Sequence, residues 1–430
     1  MTTLAWVTVA IFVIVYVLIA TEWVHRVAAA LAGAMLMLLI GATDAEHAFF
    51  SPESGVDWNV IVLLIGMMII VAVLRRTGLF EYLAIWAVKR ARGRPYPVLV
   101  ILVVITAVAS SGLDNVTTVL LVAPVTLLVC DRLGLPAAPF LIAEVMASNI
   151  GGTATLIGDP PNIIIASKSG LTFNEFLNVL APIVLILLVV FLGLCRWLFR
   201  HAFRHDTAKV ARVMAMRERD AITDPRLLTV SLIVLALVLA AFTLHTVLHL
   251  EPAVVAIVGG LLLLAVSRLD PDEVTTDVEW HTLVFFAGLF IMVGALVNTG
   301  VIAQLSQAAT GATEGRLWGT TVLLLGASAT LSAIVDNIPY VATMSPIVAD
   351  LVHADGTPQG NVLWWALALG ADLGGNATAI GASANVVVLG IAERAGKKIT
   401  FWEFTKYGLI VTAITVAICI PYLYLRYFQG

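Results

Sequence analysis

Two acidic dipeptides sit where the surrounding sequence is apolar enough to be lipid-facing: Asp114-Asn115 and Asp336-Asn337, 222 residues apart. Each Asp is followed ten residues later by a proline, Pro124 and Pro346. Further on come two matched glycine-rich segments, Gly151-Gly152-Thr153-Ala154-Thr155 and Gly374-Gly375-Asn376-Ala377-Thr378. An ordinary apolar helix has no use for such interruptions. Non-helical backbone at membrane depth survives only when buried in protein or facing water. A chain carrying two copies must therefore bury polar backbone in its own interior, twice.

Composition sets the class. The 430 residues are 60% hydrophobic and 12% charged, with mean hydropathy +1.00. A soluble domain carries about twice that charge. A polytopic helical membrane protein is expected, with no nucleic-acid partner. The first apolar run starts at Leu4 without a basic leader, and it reads as a retained span. Cys130, Cys195 and Cys419 lie in or beside apolar runs without metal-ligand spacing, so neither a disulfide framework nor a metal site is expected. His245 and His249 lack a third ligand and read as a surface pair.

The apolar runs fall in two matching series. The first is 4–20, 27–39, 60–74, an amphipathic 79–89, a broken 97–130, 140–167 and 176–198. The second is 227–245, 252–266, 282–297, an amphipathic 302–309, a broken 320–351, 362–392 and 407–425. Further matches extend the duplication: Asp57-Trp58 with Glu279-Trp280, Thr77-Gly78 with Thr299-Gly300, and Thr172-Phe173 with Thr400-Phe401. Residues 1–200 read as one repeat, 201–225 as a linker and 226–430 as the second repeat.

Loop charge decides between parallel and inverted copies. Arg75, Arg76, Lys89, Arg90, Arg92 and Arg94 form one basic cluster. Arg196, Arg200, Arg204, Lys209, Arg212, Arg217 and Arg219 form another. If each broken stretch enters and returns as a re-entrant hairpin, both clusters fall on the cytoplasmic side, as positive loops should. Each half then has five crossings, an odd number, so the halves are inverted. The expected fold is all-α: ten transmembrane helices, two re-entrant hairpins and two broken helices, with both termini outside the cell membrane.

Duplicated, glycine-interrupted segments of this kind point to a transporter's binding site. Asn115, Thr117, Thr118, Asn149, Gly151, Gly152, Thr153, Thr155, Asn337, Gly374, Gly375, Asn376 and Thr378 are the expected substrate-binding positions. Asp114, Asp336, Asp372 and Glu144 are the expected proton- or ion-coupling groups, because an intramembrane carboxylate is functional by default. The competing reading of Asp114 and Asp336 is a helix N-cap. Glu144 either faces the bundle or pairs with a basic loop. Asp159 has no acidic counterpart, its match being Ala382, and reads as a turn cap; Asn162 and Asn385 do correspond. No catalytic residue is assigned. An intramembrane aspartyl protease would need a Gly-x-Gly-Asp context, and Ser111-Gly112-Leu113-Asp114 stands there instead.

Asp114-Asn115-Val116-Thr117-Thr118, Asn149 through Asn162 and Val335-Asp336-Asn337-Ile338-Pro339 resemble the ion transporter superfamily, nearest its arsenite/antimonite permease and P-protein branch. The resemblance spans nearly the whole chain. It implies a scaffold and a transport domain, a homodimer and elevator-type alternating access. Related dicarboxylate carriers place serine where Asp114 and Asp336 stand. Two acids repel a dianion but suit a neutral hydroxide exchanged against protons. No Arg or Lys occurs within either polar segment to clamp a carboxylate. The expected activity is therefore efflux of arsenite and antimonite driven by the proton gradient, without a cofactor. The alternatives are a sodium/proton antiporter, with sodium as the coupling ion, and a dicarboxylate or anion transporter or channel. No phosphate-binding GxxxxGK[ST] motif occurs, so ATP drive would need a separate ATPase subunit.

Overall fold

The structure, a computed structural model, describes every residue except 1, 22, 204–216, 313–314 and 430. Arg204, Lys209 and Arg212 of the second basic cluster lie outside the described residues. Among the described residues the regular structure is entirely helical. The first half contains α1 (Thr3–Thr21), α2 (Arg26–Leu39), α3 (Ala45–Phe50), α4 (Trp58–Arg75), α5 (Leu79–Arg90), α6 (Pro95–Gly112), α7 (Asn115–Leu133), α8 (Ala137–Gly152), α9 (Pro160–Ser169) and α10 (Phe173–Leu198). The second half follows the same order: α11 (Pro225–Leu248), α12 (Pro252–Ser267), α13 (Pro271–Thr276), α14 (Trp280–Asn298), α15 (Val301–Ala312), α16 (Leu317–Ser332), α17 (Asn337–Asp355), α18 (Val362–Gly374), α19 (Ser383–Arg394) and α20 (Phe401–Tyr427).

The duplicated sequence marks correspond to helix starts and stops. Thr172 caps α10 in a capping box with Glu175, and Thr400 caps α20 by accepting from the Glu403 amide. Gly78 and Gly300 end the turns after α4 and α14 at φ 76° and 75°, a conformation that favours glycine. Among the described residues, eight helices are long and apolar enough to cross a bilayer: α1, α4, α6, α7, α10, α11, α14 and α20. Large apolar side chains on the outer helices are exposed, among them Ile14, Val189, Val247 and Leu409. A belt of this kind suits lipid and not water. The chain is a multi-pass membrane protein.

Contacts fix the running directions. In the first half, Gly151 and Ser148 near the end of α8 meet Ala107 and Ser110 near the end of α6. So α6 and α8 run the same way. Ser148 also reaches the Asn115 carbonyl at the start of α7, while three residues join the end of α7 to α8. α7 therefore runs back against α6, and the two form a helix–turn–helix with its tip at Leu113-Asp114. The second half repeats this. Gly374 packs on Ala329, and Ser332 donates to the Ala371 carbonyl, placing the end of α18 beside the end of α16.

The repeats also interlock. α4 packs on α12 and α14 on α2; α9 packs on α17 and α19 on α7. At the C-terminal end of α4, Arg76 pairs with Glu273 and, at 3.1 Å, with Asp277, just before α14 begins. At the other end, Gly294 near the end of α14 lies against Ser54, just before α4 begins. α4 and its repeat counterpart are thus antiparallel. The described basic residues Arg75, Arg76, Lys89, Arg217 and Arg219 gather at one end of the bundle. There Lys89 bonds Glu218 at 2.6 Å, holding that carboxyl below the usual glutamate range. The attachment is therefore complete at neutral pH and lost as pH falls through the lowered pKa.

Glycines set the distance between the interlocked helices. A Cβ on Gly66 would lie 2.3 Å from the Ala256 carbonyl carbon, and one on Gly151 would lie 2.2 Å from the Ala107 oxygen. A Cβ on Gly193 meets nothing within 4 Å. Gly66→Val and Gly151→Val are expected to lower stability by about 1–3 kcal/mol each through overpacking, with Gly193→Ala near neutral. Thermal unfolding of the purified protein in detergent measures this; equal behaviour of all three would refute the close-packing role.

Candidate functional site

The tips are built by capping. Asp114 accepts from the Thr117 amide at 2.9 Å and from the Thr117 hydroxyl. Asp336 accepts from the Ile338 amide at 3.1 Å and from the Ser383 hydroxyl. Both carboxylates expected to couple ions therefore serve as N-caps of α7 and α17. The asparagines that follow point into the molecule.

Those asparagines meet at Asp159. Asn115 donates to Asp159 at 2.8 Å and to Asn149 at 3.1 Å. Asn337, from the other half, reaches both Asp159 oxygens at 3.4 and 3.3 Å. Asp159 makes no side-chain cap bond at α9 and is fully buried. The expectation that it is a turn cap is corrected: it is the shared acceptor that brings the two tips together. Its lack of a repeat counterpart fits that role, because one acid serves both asparagines.

The broken segments 153–159 and 375–382 cross beside this point. Asn149 donates to Asn376 at 2.9 Å and to Asn385 at 3.2 Å, so the two halves bond directly. Asn162 satisfies the Thr155 carbonyl at 3.0 Å, and Asn385 the Gly375 and Thr378 carbonyls at 2.8 and 2.9 Å. Each asparagine thus binds up the backbone that its own broken segment frees. The repeat relation extends to contacts. Asn149 touches Asn376 and Asn385; its counterpart Asp372 lies beside Thr153 and Asn162, their counterparts. There the symmetry fails chemically. Thr153 donates instead to the Asn149 carbonyl, and Asn162 to loop carbonyls. Neither oxygen of the fully buried Asp372 receives a well-formed hydrogen bond from the Thr153 and Asn162 side chains beside it.

Other buried polar atoms are left over, namely the acceptors Asn115 Oδ1 and Asn162 Oδ1 and the Thr118 hydroxyl, which can donate or accept. An unpartnered buried carboxylate is costly in its charged form, and a cluster of spare acceptors calls for a proton, a cation or a ligand rich in O–H donors.

Several expected site residues also hold the structure together. The Thr155 and Thr378 hydroxyls close the tips onto the Ser111 and Ala333 carbonyls at 2.6 and 2.5 Å. Gly151, Gly152, Gly374 and Gly375 admit close backbone approach, which is a packing role. Glu144 faces the bundle, accepting from Thr126 on α7 at 2.5 Å; its second oxygen is unpartnered. Among the described residues no cluster of three or more metal-ligating side chains forms.

A basic residue is present that the polar segments themselves lack. Arg26, at the start of α2, donates to Ser383 at 2.8 Å, and Ser383 in turn bonds Asp336. Sequence reading missed it because Arg26 is 310 residues from Asp336 and outside any duplicated motif.

Asp159→Ala strands amide donors from both halves, each worth about 1–3 kcal/mol when left buried and unpaired. It should lower the unfolding temperature well beyond Asp44→Ala, which removes a single exposed cap worth about 1 kcal/mol. Equal effects in a thermal melt would contradict the shared-acceptor role.

Known proteins are similar along the whole chain. The sequence model of the CitMHS family, described as a citrate transporter, matches residues 16–370. A Mycobacterium tuberculosis protein described as an uncharacterized transporter is 56% identical over 98% of both chains. The 46 kDa membrane protein of Mycobacterium leprae is 54% identical over 98% of both chains. The human P protein is 36% identical, covering 94% of this chain and 58% of its own length. The Alcanivorax borkumensis YdaH transporter superposes with a TM-score of 0.59 at 16% identity, covering 92% of this chain and 89% of that one, a likeness of fold. With a family match over most of its length and relatives of this closeness, the chain belongs to the CitMHS family of the ion transporter superfamily, and is a membrane transporter homologous to the P protein.

Proposed function

We propose that the chain is a secondary active permease for a small inorganic solute, with arsenite and antimonite as cargo exchanged for protons. The carrying observation is Asp372: a buried carboxylate whose oxygens receive no well-formed hydrogen bond, at a junction built from both halves. The spare amide oxygen of Asn162 beside it is a further acceptor. A neutral trihydroxide brings three O–H donors to such a cluster and no charge. A dianion would meet Asp159 and Asp372 with no cation inside the junction. Asp372 takes up the coupling proton when cargo is absent; Asp159 stays engaged by its two asparagines. Asp114 and Asp336, the expected proton carriers, act first as caps that orient Asn115 and Asn337.

The transport cycle we infer is of the elevator type, in a homodimer in the cell membrane. The tips, α8–α9 and α18–α19 move as one body against the remaining helices. The antiparallel α4 and α14 support inverted repeats over 1–200 and 226–430, joined by 201–225. On this reading the two helix–turn–helix units are re-entrant, entering from opposite faces. Ten crossings then result, with α8–α9 and α18–α19 each crossing as a broken pair. The basic end of the bundle is cytoplasmic and both termini lie outside.

A second reading, transport of a carboxylate anion, is favoured by Arg26 beside the second tip and by the citrate transporter family model.

Uptake into proteoliposomes under an imposed pH gradient separates these readings. Arsenite flux should follow the gradient, sodium should not replace protons, and citrate should move weakly. Asp372→Asn should reduce gradient-driven arsenite flux at least about tenfold, a loss of about 1.4 kcal/mol of coupling. Undiminished flux in that variant would remove Asp372 from the mechanism; flux of citrate alone would replace the cargo.

A further inference from the structure

At the basic end of the bundle Arg75 and Arg76 pair with Asp277, and Lys89 pairs with Glu218. A second group of cations is left without acids. Among the described residues, Arg90, Arg92, Arg94, Arg196 and Arg200 are exposed and form no ion pair. We propose that this group, with the outward face of α10, binds an anionic glycerophospholipid: the phosphate on the arginines and an acyl chain along the helix. The site goes beyond the permease reading and does not depend on which cargo is carried.

The fold gathers the arginines from two elements. Tyr96, in the first turn of α6, donates to the Leu192 carbonyl of α10 at 3.1 Å, and the Arg196 guanidinium lies over its ring at 4.9 Å. This brings Arg196 to the turn that carries Arg94, the N-cap of α6. A ring contact does not neutralise the guanidinium, whose planar N–H fork matches a phosphate. Arg200 follows four residues after Arg196, with its Nε on His201 at 3.2 Å. Toward the bilayer centre, α10 presents an apolar stripe. Leu185 and Val189 are 63% and 70% exposed, and Gly193 is exposed with nothing within 4 Å of where a Cβ would stand. Arg196 continues the same face, because these positions recur every three or four residues.

Depth and charge together select the ligand. From Leu185 to Arg196 the helix rises about 16 Å, close to one leaflet's share of a roughly 30 Å hydrocarbon core. Trp197, next to Arg196, is 58% exposed, as a tryptophan at the headgroup boundary is expected to be. The stripe therefore runs through acyl chains and the arginines lie at headgroup level. A soluble phosphate would use the arginines and gain nothing from the stripe. A zwitterionic lipid would bring its own cation against the unpaired arginines, whereas an anionic lipid is attracted by each of them.

The test uses the full-length protein, stripped of lipid in a neutral detergent, with dioleoyl phosphatidylglycerol as probe. Dioleoyl phosphatidylcholine controls for the chains and glycerol 3-phosphate for the headgroup. The probe should raise the unfolding temperature and stay bound in native mass spectrometry; neither control should. Arg94→Gln combined with Arg196→Gln should weaken the probe at least about tenfold. Lys397→Gln combined with Lys398→Gln removes the same charge from cations already paired with Asp131 and Glu393, and should leave the affinity unchanged. All four side chains are exposed, so both double variants should unfold at the parent's temperature when lipid is absent. Equal weakening in the two double variants would reduce the effect to diffuse charge and overturn the site. Unchanged affinity in the arginine variant, or equal retention of phosphatidylcholine, would overturn it too. Glycerol 3-phosphate binding as tightly as the lipid would assign the arginines to a soluble anion, with the same consequence. Binding is read without transport, so a negative result leaves proton-driven flux to be judged separately.

Discussion

The backbone's need for hydrogen bonds where water is absent governs this structure. Two helices stop near the middle of the bundle, and two others begin at buried tips. Every freed carbonyl and amide must then find a partner inside the protein. Asparagine meets this need because it offers two donors and an acceptor on a short side chain. Asn162 and Asn385 satisfy the broken segments, Asn115 and Asn337 secure the tips, and Asn149 joins the halves. The result is a polar core that holds together through amides and one shared acid.

Duplication gives this core its form, and departures from duplication give it its chemistry. Two positions differ between halves in charge: Asn149 against Asp372, and Asp159 against Ala382. Asp159 supplies the acceptor that two asparagines share. Asp372 keeps the position of an amide but has lost the ability to donate, and its neighbours direct their own donors elsewhere. Replacing an amide by a carboxylate leaves a group that must find a proton or a ligand, which is the basis of the coupling we propose.

Much of the architecture was legible in the sequence because its signals are local. Apolar runs marked the long helices, and Thr172, Thr400, Gly78 and Gly300 marked starts and turns that the fold reproduces. The duplicated Asp-Asn pairs marked the tips, and the membership of the ion transporter superfamily was readable from the motifs around them. What escaped was non-local. Asp159 was assigned a local cap because its partners Asn115 and Asn337 lie 44 and 178 residues away. Arg26 carries no motif and reaches the second tip only through the fold. That the hydroxyls of Thr155 and Thr378 close the tips was also not legible, because sequence alone does not reveal which carbonyls a broken helix leaves free.

Proton release on cargo binding probes the central claim most directly. Purified protein in weakly buffered solution with a pH-sensitive dye should release protons when arsenite is added, and the Asp372→Asn variant should bind arsenite without that release. Identical release from both proteins would contradict the assignment of the coupling proton to Asp372.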